Sequence, residues 1–277
     1  MQSKTSVAKI QAKSYRFLQE HVYSQSGIVL EDDKPSLLES RLMPIVRQHG
    51  LGSIDDLCTL LLVTPEAGLS RQVVEAMTTK ETYFFRHSAQ YEVIRNVLLP
   101  RLKDDRRDRK RLRFWSAAAS TGQEAYSLAM LLLEDRLSDW NVQILGTDFS
   151  SEALERARSG RYKQIEVNRG LPATLLVKYF GRFGLDWQLS ELVREMARFE
   201  TIDLRKRMVA LGPFDLVFCR NVLMYFDAAT RKKILIELHG SLFRGGWLLL
   251  GATEAAFGIE KWFDRQIVGT VTVYVAR

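Results

Sequence analysis

"SAAASTGQEAYSLAM", residues 116–130, decides how this chain is to be read. It begins as an apolar stretch, Arg113-Phe114-Trp115, ends, then crosses small residues and enters a pattern with apolar positions at helical spacing. Strand, small-residue loop and helix in that order open a βαβ unit and ordinarily build a phosphate cradle, where glycines let the backbone approach an anion. This loop has one glycine, Gly122, and Glu124 stands in the first helical turn, where it opposes phosphate. A dinucleotide is a poor match.

The flanking sequence repeats the alternation. Apolar runs ending in small or polar residues recur at "LRFWSAA", "VQILGTDFS", "RFETIDL", "FDLVFCRN" and "WLLLGATE", with helical segments between most of them, which predicts a mostly parallel α/β sheet. "GTVTVYVAR" follows the last of these too closely for a helical crossover, so it is expected to run antiparallel at or near an edge. Between "SGRY" and "RFETIDL" the stretch 163–197 is too long for a simple connection, and "YFGRFGLDWQL" within it reads as a hairpin in a small inserted β-subdomain, about residues 171–198.

Upstream, "SYRFLQEHVYSQSGI", "SLLESRLMPIVRQHG", "SIDDLCTLLLV" and "GLSRQVVEAMT" each carry helical periodicity, with Gly50 placed to end one helix and Ser53 to cap the next. The expected organisation is a four-helix domain over 1–78, a linker and connecting helix over 79–112, and the α/β domain over 113–277. Arg41, Arg47 and His49 are candidates for one basic face of the second helix.

Composition narrows the function classes. The 46% hydrophobic content suits a globular core, and no apolar run approaches the ~18 residues of a membrane span. "MQSKTSVAKI" lacks the apolar segment of an export signal, so a cytoplasmic protein without membrane insertion is expected. Cys58 and Cys219 are too few and too distant for a disulfide framework or metal cluster, and no metal is expected. Much of the net charge of +7 sits in "RLKDDRRDRKRLR", residues 101–113, which is either a solvated helix face or a landing strip for an acidic partner.

In open α/β sheets the ligand lies beyond the carboxyl ends of the strands. Glu124, Asp148 and Asp203 follow three such ends, and Asp148 lies at the spacing of an acid that takes a ribose diol. S-adenosylmethionine has a ribose, an adenine, a sulfonium and an ammonium, and no phosphate, so it suits these carboxylates. The residues leave another account open, in which Glu124 caps its helix and Asp148 caps "SSEALERA". In "TTKETYFFRHS", Phe84 and Phe85 read as core, while Arg86 at the junction needs a carboxylate, a cleft or solvent.

Taken together, "TKETYFFR", "RFWSAAASTGQEAYSLAM", "GTDFSSEALERARSGRY" and "FDLVFCRNVLMYFD", in this order behind a small helical domain, resemble the CheR family of chemotaxis receptor methyltransferases over nearly the whole chain. The resemblance implies a Rossmann-like S-adenosylmethionine-dependent domain that methylates glutamate side chains on cytoplasmic chemoreceptor helices and releases S-adenosylhomocysteine. It implies cofactor or active-site positions at Thr82 and Arg86, with Lys80 at the edge of that motif. Glu124 would face the methionine part, Asp148 the ribose, Asp203 and Leu204 the adenine, and Arg220 and Asn221 the strand end beside the cofactor. Arg86 and Tyr225 would act on the acceptor and the methyl group. The family often has Asn where Lys80 and Asp203 stand. In some members the inserted subdomain binds a peptide at the receptor's C-terminus.

Two other functions share parts of this pattern. A nucleic-acid methyltransferase would explain the basic charge, but "CRNVLMYF" has neither a Pro-Pro-aromatic strand end nor a Pro-Cys nucleophile, so no nucleic-acid partner is expected. A non-catalytic S-adenosylmethionine-binding receptor adaptor would not need Arg86 and Tyr225.

Overall fold

The computed structural model describes residues 10–32, 34–64, 67–135, 137 and 139–277. Residues 1–9, which carry most of the stretch read for an export signal, lie outside the described residues. The chain forms two compact units. One holds the described residues up to Thr79 together with Tyr225–Asp227, and the other holds Lys80–Met224 and Ala228–Arg277.

The first unit is built on α1 (Ala12–Ser26), α2 (Pro35–Gln48), α3 (Ile54–Val63) and α4 (Ala67–Met77). Each helix turns one apolar stripe inward, and Leu18, Val22, Leu38, Leu42, Val46, Leu57 and Val73 are fully buried. Ser53 Oγ accepts from Asp56 N at 3.1 Å, so it caps α3 as its position predicts. Gly50 follows α2 at φ +66°. Arg41 is not a free basic group: it donates to the carbonyl of Met77 at 2.5 Å and to Thr79 Oγ1 at 3.0 Å, tying down the end of α4. Within this unit Val29 N donates to the carbonyl of Tyr225 at 2.9 Å, and the Tyr23 hydroxyl to Asp227 Oδ2 at 2.9 Å.

The second unit opens with α5 (Ser88–Val93), a π-helical turn (Ile94–Leu98) and α6 (Leu99–Arg106). The wide turn lies just before Pro100, whose missing N–H and bulky ring disfavour regular helix. Then follow β1 (Arg111–Ser116), α7 (Gln123–Glu134), β2 (Asn141–Asp148), α8 (Ser151–Ser159), β3 (Arg161–Lys163), α9 (Gln164–Val167), α10 (Ala173–Tyr179), β4 (Phe180–Phe183), β5 (Asp186–Leu189) and α11 (Glu191–Arg194). The chain closes with β6 (Ala197–Thr201), β7 (Phe214–Cys219), α12 (Ala228–Gly240), β8 (Leu242–Leu250), β9 (Phe263–Val268) and β10 (Val271–Ala276).

Seven strands form one sheet in the order β6-β2-β1-β7-β8-β10-β9, parallel from β6 to β8 and antiparallel at β10 and β9. The mostly parallel sheet with an antiparallel end agrees with the alternation in sequence. All six residues of β7 are buried, as expected of a central parallel strand covered on both faces. The hairpin partner β9 is an addition to the expected strands. Its Asp264, Arg265, Gln266 and Ile267 are exposed, so no apolar alternation marks it and only pairing with β10 defines it. A separate three-stranded sheet, β3-β5-β4, contains the expected hairpin but also recruits β3, upstream of the predicted insertion.

In the stretch 101–113, Lys103, Arg106 and Arg113 are engaged in structure, while Arg101, Arg107, Arg109, Lys110 and Arg111 are exposed. Lys103 pairs with Asp135, and Arg106 Nε donates to Asp215 Oδ1 at 2.8 Å. Arg113 donates to the carbonyls of Leu211 and Pro213 at 2.9 and 3.1 Å. No helix among the described residues is long and apolar enough to cross a membrane.

Candidate active site

Strand order reverses between β1 and β7: from β1 the chain proceeds outward through β2 to β6, and from β7 the other way to β8. A crevice at the carboxyl ends of the strands is the geometric consequence. Glu124 enters it from the first turn of α7 and Arg220 from the end of β7. Arg220 Nη1 donates to Glu124 Oε2 at 3.0 Å, and Ser116 Oγ donates to Oε1 at 2.7 Å. Burial pushes the Glu124 carboxyl above the ordinary glutamate range, against the pull of Arg220 and Ser116. Glu124 therefore does not cap its helix. Arg220 also donates through Nη2 to the backbone carbonyl of Arg86, fastening the 80–87 segment to the strand end.

Asp148, closing β2, accepts from Ser120 N at 2.9 Å through Oδ2 and from Ser150 N at 2.9 Å through Oδ1. The N-cap of α8 is Ser150, whose hydroxyl accepts from Ala153 N, and Asp148 stands two residues before it. Gly122 sits at φ +93°, and a Cβ there would lie 2.9 Å from Ala157 Cβ and 3.0 Å from the Tyr126 ring. Its glycine serves a turn and a close approach to α8, which explains why one suffices where a phosphate loop needs several.

The remaining expected positions are placed as follows. Lys80 Nζ pairs with Glu152, and Ser120 Oγ donates to the Lys80 carbonyl at 3.0 Å, so this edge of the motif borders the loop after β1. Thr82 is half-buried. Arg86 donates to the Glu81 carbonyl at 3.1 Å and lies 5.5 Å from the centre of the Tyr83 ring. Asp203 is held within its own turn by Arg205, whose Nη2 and Nε reach the carboxylate at 2.7 to 3.1 Å, and the neighbouring Leu204 is buried. Asn221 follows Arg220 at φ +58°. Tyr225 belongs to the helical unit. Phe84 is fully buried, edge-on to Tyr162 and Phe180, while Phe85 is half-buried against Tyr91.

Residues not expected from sequence join this set. His87, Gln90 and Glu254 border the same strand ends. Gln90 Nε2 donates to the Leu250 carbonyl at 2.8 Å, and Glu254 accepts from the backbone N–H of Asn221 at 2.6 Å. The available signal was the polar end of "WLLLGATE", a carboxylate just past a strand.

Two features mark the crevice as a ligand site. Arg86 Nε, His87 Nε2, Gln90 Oε1, Arg220 Nε and Asn221 Oδ1 are buried without a hydrogen-bond partner in the protein. Such atoms each cost about 1–3 kcal/mol, so their concentration here favours a bound polar molecule. Four of the five non-glycine residues at positive φ among the described residues, Phe85, His87, Ser120 and Asn221, also lie here, and backbone strain of this kind gathers at functional sites. Unpartnered donors (Arg86 Nε, Arg220 Nε) and acceptors (Gln90 Oε1, Asn221 Oδ1) stand here beside the Glu124 and Asp148 carboxylates. Cys219 is fully buried, and burial pushes its thiol well above the ordinary range, so it makes a poor nucleophile. Among the described residues no cluster of metal-ligating side chains occurs.

Comparison with known proteins agrees. Residues 80–271 match the family model described as CheR methyltransferase, SAM binding domain, and residues 13–78 the one described as CheR methyltransferase, all-alpha domain. The chain is 37% identical over 257 residues to chemotaxis protein methyltransferase Cher2 of Pseudomonas putida, covering 91% of this chain and 93% of that one. It is 40% identical over 257 residues to chemotaxis protein methyltransferase 1 of Pseudomonas aeruginosa, with the same coverage of 91% and 93%. With the chemotaxis protein methyltransferase of Escherichia coli it shares 33% over 256 residues, 90% of this chain and 86% of the other. The chain belongs to the CheR methyltransferase family and is an S-adenosylmethionine-dependent methyltransferase.

Proposed function

We propose that this chain esterifies the γ-carboxyl of glutamate side chains on the cytoplasmic helices of chemoreceptors. The observation that carries the acceptor is Arg86, a half-buried guanidinium whose Nε is buried without a protein partner, held by its backbone carbonyl to Arg220 at the strand end. Arg86 is suited to take a carboxylate in charge-assisted hydrogen bonds. A glutamate acceptor has a pKa of ~4.3 and is already ionised at neutral pH, so no general base is required. A binding site that orients two partners and sheds water is enough.

When bound, S-adenosylmethionine supplies the activated methyl group. In this reading Glu124 and Asp148 receive its cationic end and its ribose, Asp203 and Leu204 border the adenine, and Thr82, Arg220 and Asn221 line the remainder, with Lys80 at the rim. Arg86 holds the acceptor carboxylate. The role of Tyr225 in orienting the acceptor rests on the family resemblance. A receptor C-terminal peptide is a second proposed contact, supported by β4, an edge strand of the small sheet with one side free to pair.

Methyl transfer to a panel of receptor cytoplasmic fragments, with and without their C-terminal tails, tests the reading. Expected is methyl label that alkali releases as methanol and that disappears when acceptor glutamates are changed to alanine. Alkali-stable label, or label in RNA, would overturn it.

A further inference from the structure

We propose that Glu254 is a positioning residue of the methyl-transfer site, its carboxylate fixing the turn that presents Arg220 and Asn221. The inference rests on the functional reading above. Glu254 Oε2 accepts from Asn221 N at 2.6 Å and Gly251 N at 2.8 Å, and Oε1 from Leu223 N at 2.8 Å and Met224 N at 3.4 Å. One side chain thereby ties the turn after β7 to the end of β8, where the strands no longer pair. Successive N–H groups in a turn form a concavity suited to an anion, and here the protein supplies the anion itself.

The local sequence is shaped around that carboxylate. A Cβ on residue 251 would lie 2.7 Å from Glu254 Oε2 and 3.0 Å from Asn221 N, so only glycine leaves room. Asn221 adopts φ +58°, a conformation that persists when the surroundings over-determine it, and the bond from its N–H to Glu254 is one such constraint. The reward is the direction of its side chain, whose Oδ1 is buried without a protein partner. Glu254 does not act as a base in this scheme, since both its oxygens are filled by backbone donors and the acceptor arrives ionised.

Two variants test the proposal. E254Q keeps the volume but turns an amide donor toward one pair of N–H groups, and Gly251→Ala keeps the glutamate but displaces its carboxylate. Measurements are made at a temperature where near-ultraviolet circular dichroism shows each variant folded, with S-adenosylhomocysteine affinity by calorimetry beside steady-state kinetics. Expected in both is at least a tenfold rise in Kd for S-adenosylhomocysteine and in KM for S-adenosylmethionine, larger than any change in KM for the receptor fragment. Folded variants that bind S-adenosylhomocysteine within twofold of wild type would overturn the inference, whatever their melting temperature. Wild-type protein that fails to bind it would overturn the functional reading as well.

Discussion

Arg220 and Glu124, 96 positions apart in the chain, form a buried ion pair across the gap where strand order reverses. The pair joins the loop after β1 to the end of β7 and, through the second Arg220 nitrogen, to the backbone of Arg86. It is therefore a structural keystone of the crevice as well as part of its lining. The same low-dielectric burial that raises the Glu124 pKa makes loss of its partner costly.

Arg220→Ala leaves Glu124 buried with the Ser116 hydrogen bond and the more distant charge of Arg86. Loss of a buried partner typically costs about 3–5 kcal/mol, and urea unfolding at pH 7 is expected to show a loss in that range. The double variant E124Q/R220M, which removes both charges, is expected to recover at least half of it. A single-variant loss below ~1 kcal/mol would place the pair among solvent-screened ion pairs instead.

Arg86→Ala is expected to abolish methyl transfer while leaving S-adenosylhomocysteine affinity within a few-fold of wild type. Equal loss of both would assign Arg86 to the cofactor. Calorimetry beside a turnover assay on the same preparation separates the two outcomes.

His87 gives the site a pH signature. Its pKa lies below the ordinary 6.5 because of burial and the nearby positive charges of Arg220 and Arg86. The folded state keeps the ring neutral while the unfolded chain protonates, so its contribution to stability is present above pH ~6.5 and is lost as pH falls through the folded value. Unfolding free energy should fall more steeply between pH 7 and pH 5.5 in wild type than in H87Q. Identical slopes would show that the ring titrates as in the unfolded chain.

Much of this architecture is legible locally because local chemistry decides it. The four helices, the Ser53 cap, the central strands and the hairpin of β4 and β5 each follow from periodicity or turn residues within a dozen positions. β9 was not legible, because an exposed edge strand carries charged side chains and is made by its partner. The basic run before β1 was ambiguous for a related reason. Asp215, which takes Arg106 and the N–H of Arg113 at 2.8 Å each, lies about a hundred residues downstream.

By itself the sequence determined the order of the helices and central strands, the ligand class excluded by a single-glycine loop with a glutamate in its first turn, and the carboxylates placed at strand ends. Only the tertiary structure decided what those groups face. It gave Glu124 to Arg220, Asp203 to Arg205, and four backbone N–H groups to Glu254. Hydrogen-bond and ion-pair partners are chosen by proximity in three dimensions, and sheet topology sets that proximity between segments that share no local pattern.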